Sequence, residues 1–435
     1  MKNNSIVQTV VMVVFGLGVL LGILVLSGNL DIGTGNSQSE GPTGNVLVWG
    51  VLPRQSIETL FDYFEGQNKG LSLTYVEKNP DSLQTDLVNA LASGVGPDVF
   101  MIPPGQVAEN LDRLMVIPYS AISRSVYQNT FTDVGESLML PQGFVAFPAF
   151  VNPMIMYYNR DLLTSVFKTD APKTWTELDE LVPLLVKRGD SGTVQQSAVA
   201  MGTGNNITHL TDLLYTRLLQ QKNSIVSINE NKWMSSISVG LSEVMSWFTG
   251  YAQTSNPLYS WNQSLPSDRD MFTAGNLAFY FGYPSELQDI REKNPNLNFR
   301  IAMIPQETTN GYRAVYGQLY SIGVSKISKN ANSAIQVASL MAGKESMEFV
   351  LGNTFYVPAR KDMYTSRPVD NPERAMILDS GVISKSFLNP KAVETRRIIT
   401  NNINQLNAGT RNYSQVLNSI DVGFRDLLSN LTMPQ

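Results

Sequence analysis

The sequence predicts an α/β protein of two domains, each with a mainly parallel sheet flanked by helices. Three observations predict this fold class. Short apolar runs alternate with amphipathic helical patterns between residues 46 and 102, which is typical of parallel strands joined by crossover helices. Further helical patterns follow along the rest of the chain. About 390 residues come after an apolar N-terminal segment, and that length suffices for two full cores.

The N-terminal segment, residues 6–27, is predicted to cross a membrane once. It carries no charge and is almost entirely apolar, and about 20 such residues span a bilayer core of about 30 Å. Lys2 precedes it, which favours a cytoplasmic start and an exported body. A cleaved signal peptide is the alternative, because residues 25–27 before Gly28 could form a cleavage site, but signal peptides usually have an apolar core of about 7–15 residues. A buried core helix is disfavoured because the segment has no polar face.

Residues 28–44 are rich in Gly, Ser and Asn and are predicted to form a flexible tether. A tether of this length has a typical end-to-end distance of about 20–25 Å. The expected location is therefore the cell membrane, with a single pass and the body outside the cytoplasm. Secretion after signal cleavage is the alternative.

The first predicted elements alternate between strand and helix. Strands are predicted at residues 46–49, 71–76 and 99–102, since these runs are apolar or alternating and are bounded by Gly or Pro. Two intervening helices are predicted from apolar side chains at helical spacing. These side chains are Ile57, Leu60, Phe61 and Phe64 in the first helix, and Leu83, Leu87, Val88 and Leu91 in the second.

The following portion is rich in predicted helices. Thr174 and Glu177 have the spacing of a capping box, and the apolar stripe behind them predicts a helix that starts there. Helical patterns also occur at residues 207–220, 233–249, 331–342 and 392–406.

Composition excludes several classes of function. The net charge is −5 and no basic block follows Lys2, which argues against a nucleic-acid partner. The chain has no Cys and a single histidine, His209, so thiolate sites and two-His zinc sites are excluded. No nucleophile-elbow motif accompanies His209, and we expect it not to be catalytic. We expect no cofactor and no metal site.

Five segments carry recognisable motifs: GVGPDVF at residues 94–100, PMIMYYNRDLL at 153–163, APKTWTEL at 171–178, FTAGNLAF with GYPS at 272–285, and GVSKISKN at 323–330. In this order and spacing they resemble the family 1 extracellular solute-binding proteins of ABC importers, the maltose-binding protein group. The resemblance covers roughly residues 45 to 345, and the part after 352 matches only loosely. Physically, three of these motifs, GPDVF, YYNRDLL and PKTWTEL, indicate architecture rather than ligand contact.

The resemblance implies a periplasmic-binding-protein fold of type II, in which two lobes close over a solute and then dock on a membrane permease. Lobe 1 is expected to hold residues 45–150 and about 320–352. Lobe 2 is expected to hold residues 151–319 and about 353–435. A monomer is expected.

The expected ligand site lies beyond the carboxyl ends of the strands, where doubly wound sheets bind ligands. That rule selects Trp49, Gly50, Pro104 and Gln106. The family resemblance implies six further contacts: Asn152, Asn206, Tyr283, Ser285, Gln318 and Tyr320. The sequence also departs from the sugar-binding pattern, since Pro284 and Ser285 replace the stacking Trp, with Tyr283 beside them.

The leading hypothesis is a membrane-tethered solute-binding protein of an ABC importer, with a sugar or oligosaccharide as the solute. The chain has no GxxxxGK[ST] phosphate loop, so it is not the ATPase of that importer. A sensor or adhesion protein with the same fold is the alternative. A polysaccharide-active enzyme is disfavoured, because no pair of carboxylates stands out at the predicted strand ends.

Overall fold

The computed structural model describes residues 41–351, 354–364 and 371–434. The predicted membrane segment and residues 28–40 of the predicted tether lie outside these residues. Within the described ranges, no helix combines the length and the apolar character that crossing a bilayer requires.

The described strands and helices alternate along most of the chain. The strands are β1 Gly44–Gly50, β2 Leu71–Glu77, β3 Val99–Ile102, β4 Ile117–Pro118, β5 Gly143–Phe144, β6 Phe147–Pro153, β7 Ile155–Asn159, β8 Lys187–Arg188, β9 Val194–Val199, β10 Val226–Asn229, β11 Lys232–Ser235, β12 Leu277–Gly282, β13 Phe299–Met303, β14 Val315–Val324, β15 Val357–Pro358 and β16 Ser384–Lys385. The helices are α1 Arg54–Gln67, α2 Leu83–Ala92, α3 Arg124–Thr130, α4 Arg160–Ser165, α5 Trp175–Leu185, α6 Leu210–Gln220, α7 Ser238–Gly250, α8 Asp268–Thr273, α9 Leu287–Lys293, α10 Ala331–Met341, α11 Lys344–Leu351, α12 Pro372–Val382, α13 Ala392–Asn407 and α14 Tyr413–Ser429.

Two sheets organise these elements into two lobes. The first sheet has the strand order β15-β6-β14-β3-β1-β2, with β16 paired to β14. Helix α1 packs on β2, and α10 packs on β14, β1 and β3. The second sheet has the order β13-β7-β12-β9-β8, with α5 packed on β9 and α8 on β12. The assignment of chain segments to lobes by residue number remains a prediction. Sheet pairing places β15 and β16, which follow residue 352, in the first sheet.

The chain crosses between the sheets at three places. Strand β6 of the first sheet runs into β7 of the second through Met154 alone, and β13 of the second sheet returns to β14 of the first. After β16, the chain leaves the first sheet for α13, which packs on α14 and α6. The three crossings lie side by side near the start of β14, and adjacent crossings allow two lobes to move about a common hinge.

The prediction of mainly parallel sheets is wrong. Strands β1, β2 and β3 are parallel, but β14 is antiparallel to both β3 and β6. In the second sheet only β9 and β12 are parallel, while β7 is antiparallel to β12 and β13. The crossings explain the difference. A strand that returns from one sheet to the other begins at the edge where its neighbours end. It is therefore antiparallel to them.

Local predictions differ in accuracy. Strand β3 has the predicted bounds, and the helices predicted at 331–342 and 392–406 agree with α10 and α13 within one residue at each end. The helix predicted at 233–249 is wrong in its first turn, because β10 and β11 form a hairpin. Glu230 and Asn231 both adopt positive φ in its turn, as a tight hairpin turn requires. The helix α14 was not predicted.

Three of the motifs hold strand and helix ends in place. Asp98 accepts hydrogen bonds from Leu47 N (3.0 Å) and Ser328 Oγ (2.6 Å). Asn159 caps α4 by accepting from the N–H groups of its first turn. Thr174 caps α5 through Glu177 N (3.2 Å). The Glu177 carboxylate does not complete the predicted capping box, because it accepts from the backbone N–H of residue 173 instead.

We expect Asp98→Ala to destabilise the protein by about 1.5–3 kcal/mol, because a charged acceptor with two partners is lost. Urea unfolding measures the change. Ser328→Ala removes only one of the two partners and should cost clearly less. Equal unfolding free energies for the wild type and Asp98→Ala would show that solvent replaces this acceptor without loss.

Candidate functional site

The ends of the strands bring the two sheets face to face. In the first sheet β1, β2, β3 and β6 end at one edge, and β14 begins there. In the second sheet β9, β12 and β13 end at one edge, and β7 begins there. Because β6 continues into β7 through Met154, the two edges adjoin. Residues that follow these strand ends therefore lie where both lobes can contact one solute.

Asn152, Ser285 and Gln318 form a polar cluster that joins the two edges. Asn152 Nδ2 donates to Ser285 Oγ (3.0 Å) and to Gln318 Oε1 (3.3 Å). Asn152 and Gln318 are paired residues on β6 and β14, whereas Ser285 lies in the turn after β12. The structure thus brings together three residues that the sequence predicted separately.

Two of the predicted ligand residues carry a buried acceptor atom that has no partner within the described part of the chain. These atoms are Asn152 Oδ1 and Gln106 Oε1. Asn152 as a whole is 3% exposed. A buried acceptor without a donor costs about 1–3 kcal/mol, so a ligand that donates hydrogen bonds would stabilise both positions.

The loop after β3 approaches the helical part of the chain across the hinge. Gly105 has a φ of +77°, and a Cβ at this position would lie 2.8 Å from Ala392 Cβ at the start of α13. Nearby, burial raises the pKa of Glu109 against the opposing charges of Lys391 and Arg113. Pro104 and Gln106 therefore sit in a loop that faces α13.

Trp49 and Gly50 occupy the end of β1. Trp49 is 7% exposed, and Lys78 Nζ lies 3.9 Å from the centre of its ring. Lys78 also donates to Asp86 Oδ2 (3.0 Å), so this ammonium has a carboxylate partner. At Gly50 a Cβ would lie 2.5 Å from Tyr75 Oη, which leaves room only for glycine. That Trp49 contacts ligand remains a prediction, since its ring is largely covered.

Tyr283 lies inside the second lobe rather than on its surface. Its side chain is 1% exposed, and its hydroxyl donates to Asp212 Oδ2 (2.7 Å). Its carbonyl accepts from the Tyr157 hydroxyl (2.5 Å). These bonds make Tyr283 an anchor for the following turn, which carries Ser285.

Asn206 and Tyr320 also have partners within the protein. Asn206 Oδ1 accepts from Trp261 Nε1 (3.0 Å) and Thr203 Oγ1 (2.5 Å), and its Nδ2 donates to two backbone carbonyls. Tyr320 makes a 3.3 Å contact between its hydroxyl and that of Tyr356. Both side chains stabilise the lobes, and their predicted ligand contacts stay predictions.

A buried ionic cluster surrounds His209 beside the Ser285 turn. His209 Nε2 lies 2.5 Å from Glu286 Oε1, and its Nδ1 lies 3.9 Å from Asp212 Oδ2. Burial alone lowers the pKa of His209, but the hydrogen bond to Glu286 and the nearby carboxylates outweigh it and raise this pKa above its ordinary value. Burial raises the pKa of Glu286, but the contact with His209, the hydrogen bond from Tyr280 and the charge of Arg269 together outweigh burial and lower this pKa.

The His209–Glu286 pair predicts a pH-dependent stability. The raised pKa of His209 contributes stability that is complete below its ordinary value of 6.5 and is lost as pH rises through the raised value. The lowered pKa of Glu286 contributes stability that is present above 4.5 and is lost as pH falls through the lowered value. Between these limits His209→Gln should therefore destabilise most.

Urea unfolding of the wild type and His209→Gln at several pH values tests this expectation. The difference in unfolding free energy should shrink above neutral pH. A difference that stays constant from about pH 5 to pH 9 would contradict the linkage.

Sequence reasoning missed Glu286 and the start of α13 as parts of this region. Glu286 adjoins the predicted Ser285, and Pro284 with an acidic residue two positions later is a signal for a helix start. Ala392 lies 287 positions beyond Gly105 (392 − 105), and no sequence pattern indicates that contact.

Among the cavities formed by the described residues, two large ones contain none of the ten predicted ligand residues. One has a volume of about 610 Å³ and is lined by parts of the 124–141 and 219–233 segments together with residues 386–388. The other, of about 660 Å³, lies between α13 and α14.

The fold and the facing strand edges are those of a two-lobed solute-binding protein. A sequence profile of the bacterial extracellular solute-binding protein family matches residues 59–376, so the chain belongs to this family. The resemblance predicted from the motifs is confirmed. The family accords with a body outside the cytoplasm.

Solved structures and one curated relative show the same likeness. A cyclo/maltodextrin-binding protein complexed with maltotetraose is 17% identical, with 91% of this chain and 100% of that chain covered and a TM-score of 0.72. A sugar-binding protein from Xanthomonas citri is 18% identical, with 89% and 98% covered and a TM-score of 0.70. A binding protein from Brucella abortus (strain 2308) is 21% identical over 311 residues, which cover 69% of this chain and 71% of the relative. At these identities the likeness shows the fold, and it confirms the predicted two-lobed α/β architecture.

Proposed function

We propose that this solute-binding protein captures a neutral oligosaccharide between its two lobes and delivers it to an ABC permease. The chain itself has no catalytic step. Residues 6–27 hold it in the membrane that contains the permease, and residues 28–44 give the body its reach. Sugar-binding proteins among the structural neighbours support the class of solute.

One observation carries the choice of solute: the buried acceptors Asn152 Oδ1 and Gln106 Oε1 have no hydrogen-bond partner among the residues that the structure describes. Both need a donor. A carboxylate or a phosphate offers only acceptors when ionised, and would leave both atoms unpaired. Sugar hydroxyls can donate to these atoms and also accept from neighbouring groups. The site therefore suits a solute that donates hydrogen bonds and carries no negative charge, and a sugar with several hydroxyl groups meets both conditions.

Four residues are proposed to contact the solute: Gln106 and Gln318 from the first sheet's edge, Asn152 at the crossing, and Ser285 from the second sheet's edge. Each lobe thus supplies contacts, and a solute that touches both favours the closed form over the open one. The lobe boundaries in this proposal are those predicted from the sequence, with one change: β15 and β16 are assigned to lobe 1 because they pair with its sheet.

A thermal-unfolding screen of the full-length protein tests the proposal. The panel contains maltotetraose, other neutral oligosaccharides, phosphorylated sugars, acidic peptides and polyamines. A solute present at 100 times its dissociation constant should stabilise the fold by about 2.7 kcal/mol. We expect stabilisation by at least one neutral oligosaccharide. Stabilisation by charged solutes alone would contradict the proposed class of solute.

A further inference from the structure

The turn that carries Ser285 is held by the His209 cluster. Glu286 follows Ser285 directly, and its two carboxylate oxygens have different partners. Oε1 contacts His209 Nε2 (2.5 Å), and Oε2 accepts from the Tyr280 hydroxyl (2.6 Å). The backbone N–H of Glu286 also donates to the carbonyl of residue 283 (2.9 Å). The contact between Glu286 and the imidazole is therefore one of the bonds that hold the orientation of this turn, beside those of Tyr280 and Tyr283.

The same turn makes the hydrogen bond between the lobes. Ser285 Oγ accepts from Asn152 Nδ2 (3.0 Å), and Asn152 belongs to the first sheet. A small rotation of the turn would lengthen this bond beyond useful range. The imidazole contact and the bond between the lobes are thus made by two consecutive residues, Glu286 and Ser285.

Carboxylates dominate the surroundings of the imidazole. The side chains of His209 and Glu286 are 16% and 12% exposed, so their interaction is poorly screened by solvent. The charged and titratable groups that face the cluster directly are Asp212 from α6, Asp268 and Arg269 from α8, Tyr280 from β12, and Tyr283 and Glu286 from the turn. Two more groups face it indirectly. Asp289 of α9 accepts a hydrogen bond from Arg269, and Arg396 of α13 donates one to the carbonyl of Thr208.

We propose that protonated His209 positions Ser285 for its hydrogen bond to Asn152, so that closing of the lobes weakens when the imidazole loses its proton. The protonated ring donates to a charged carboxylate, which is the stronger kind of hydrogen bond. The neutral ring holds Glu286 less firmly. In this proposal the turn is better ordered in the closed form, which therefore binds the proton more tightly than the open form. By reciprocity, protonation favours closing.

This inference rests on the proposed function in one respect: closing over a solute is what the switch controls. Solute affinity should therefore fall as pH rises through the raised pKa of His209. His209 is a positioning residue in this scheme, because it does not contact the solute. A purely structural role would change stability but would leave the open–closed ratio independent of pH.

The test measures the separation of the lobes without any solute. The chain has no Cys, so Thr59→Cys on α1 and Glu180→Cys on α5 give a unique pair of spin-label sites. Both positions are exposed, and their helices pack on different sheets. Electron–electron double resonance on the full-length protein then reports the populations of open and closed forms at about pH 6 and pH 9.

We expect the closed-to-open ratio to be about 5- to 10-fold higher at the lower pH. His209→Gln in the same labelled background keeps an N–H donor without titrating, and its ratio should not respond to pH. An unchanged distance distribution in the labelled wild type would overturn the inference. So would an equal pH response in His209→Gln. Because no solute is present, failure to bind oligosaccharides in the thermal screen leaves this result interpretable.

Discussion

Asn152→Ala is expected to weaken binding of a neutral oligosaccharide by about 5- to 150-fold. The change removes the Nδ2 donor, which bonds Gln318 on the first sheet and Ser285 beside the second sheet. It also removes Oδ1, the acceptor proposed to bind the solute. A loss of buried hydrogen bonds costs about 1–3 kcal/mol, which corresponds to this range of affinity. Calorimetric titration with the sugar that stabilises most in the thermal screen measures the change.

Asn401→Ala is the matched control for this prediction. Asn401 is an exposed amide on α13, so the same chemical change there should leave affinity unaltered. Thermal unfolding of both variants separates lost binding from lost folding. Wild-type affinity in Asn152→Ala would place the solute elsewhere.

Trp261→Ala is expected to destabilise the protein by about 3–5 kcal/mol. The indole is fully buried and donates through Nε1 to Asn206 Oδ1 (3.0 Å). Truncating a large buried aromatic side chain costs this much, because apolar contacts are lost and a cavity remains. The Asn206 acceptor also loses one of its two donors. Urea unfolding measures the effect.

Trp261→Phe and Asn206→Ala divide the loss into its parts. Trp261→Phe keeps much of the apolar contact and removes the N–H donor, so it should cost clearly less than Trp261→Ala. A double-mutant cycle with Asn206→Ala isolates the hydrogen bond. If Trp261→Ala unfolds at the same urea concentration as the wild type, the interior of the second lobe is not packed as described.

The first βαβ portion could be predicted well from sequence because its signals are local. Apolar runs and helical stripes define β1 to β3 and the two helices between them, and Pro103 marks the end of β3. The hairpin of β10 and β11 was missed because its turn uses Glu230 and Asn231 at positive φ rather than the usual glycine. Helix α14 has Val416, Ile420, Phe424 and Leu428 buried at a spacing of four, so its sequence does carry a helical signal.

The direction of the strands could not be predicted from periodicity. An alternating or apolar run specifies a strand but carries no information on its partner. The antiparallel position of β14 follows from its return across the hinge, which depends on the whole chain path. The same limit applies to the contact between Gly105 and Ala392.

The site residues show a similar division. Asn152 and Ser285 were assigned through the family resemblance, and the structure places them in one cluster because the edges of both sheets meet at Met154. The resemblance also implies a ligand contact for Tyr283, and this stays a prediction. In the structure its hydroxyl donates to Asp212 Oδ2 (2.7 Å) inside the lobe. Position along the chain could not distinguish a side chain that points between the lobes from one that points into the core.

The central claim is that a neutral glycan binds between the two facing strand edges. One glycan array that carries both neutral and charged glycans provides the test. Three full-length proteins are applied to it: the wild type, Asn152→Ala and Asn401→Ala. We expect the array spots that carry neutral oligosaccharides to retain the wild type and Asn401→Ala. We expect Asn152→Ala to give less signal at these spots. Retention on charged glycans alone, or equal signals from all three proteins, would contradict it.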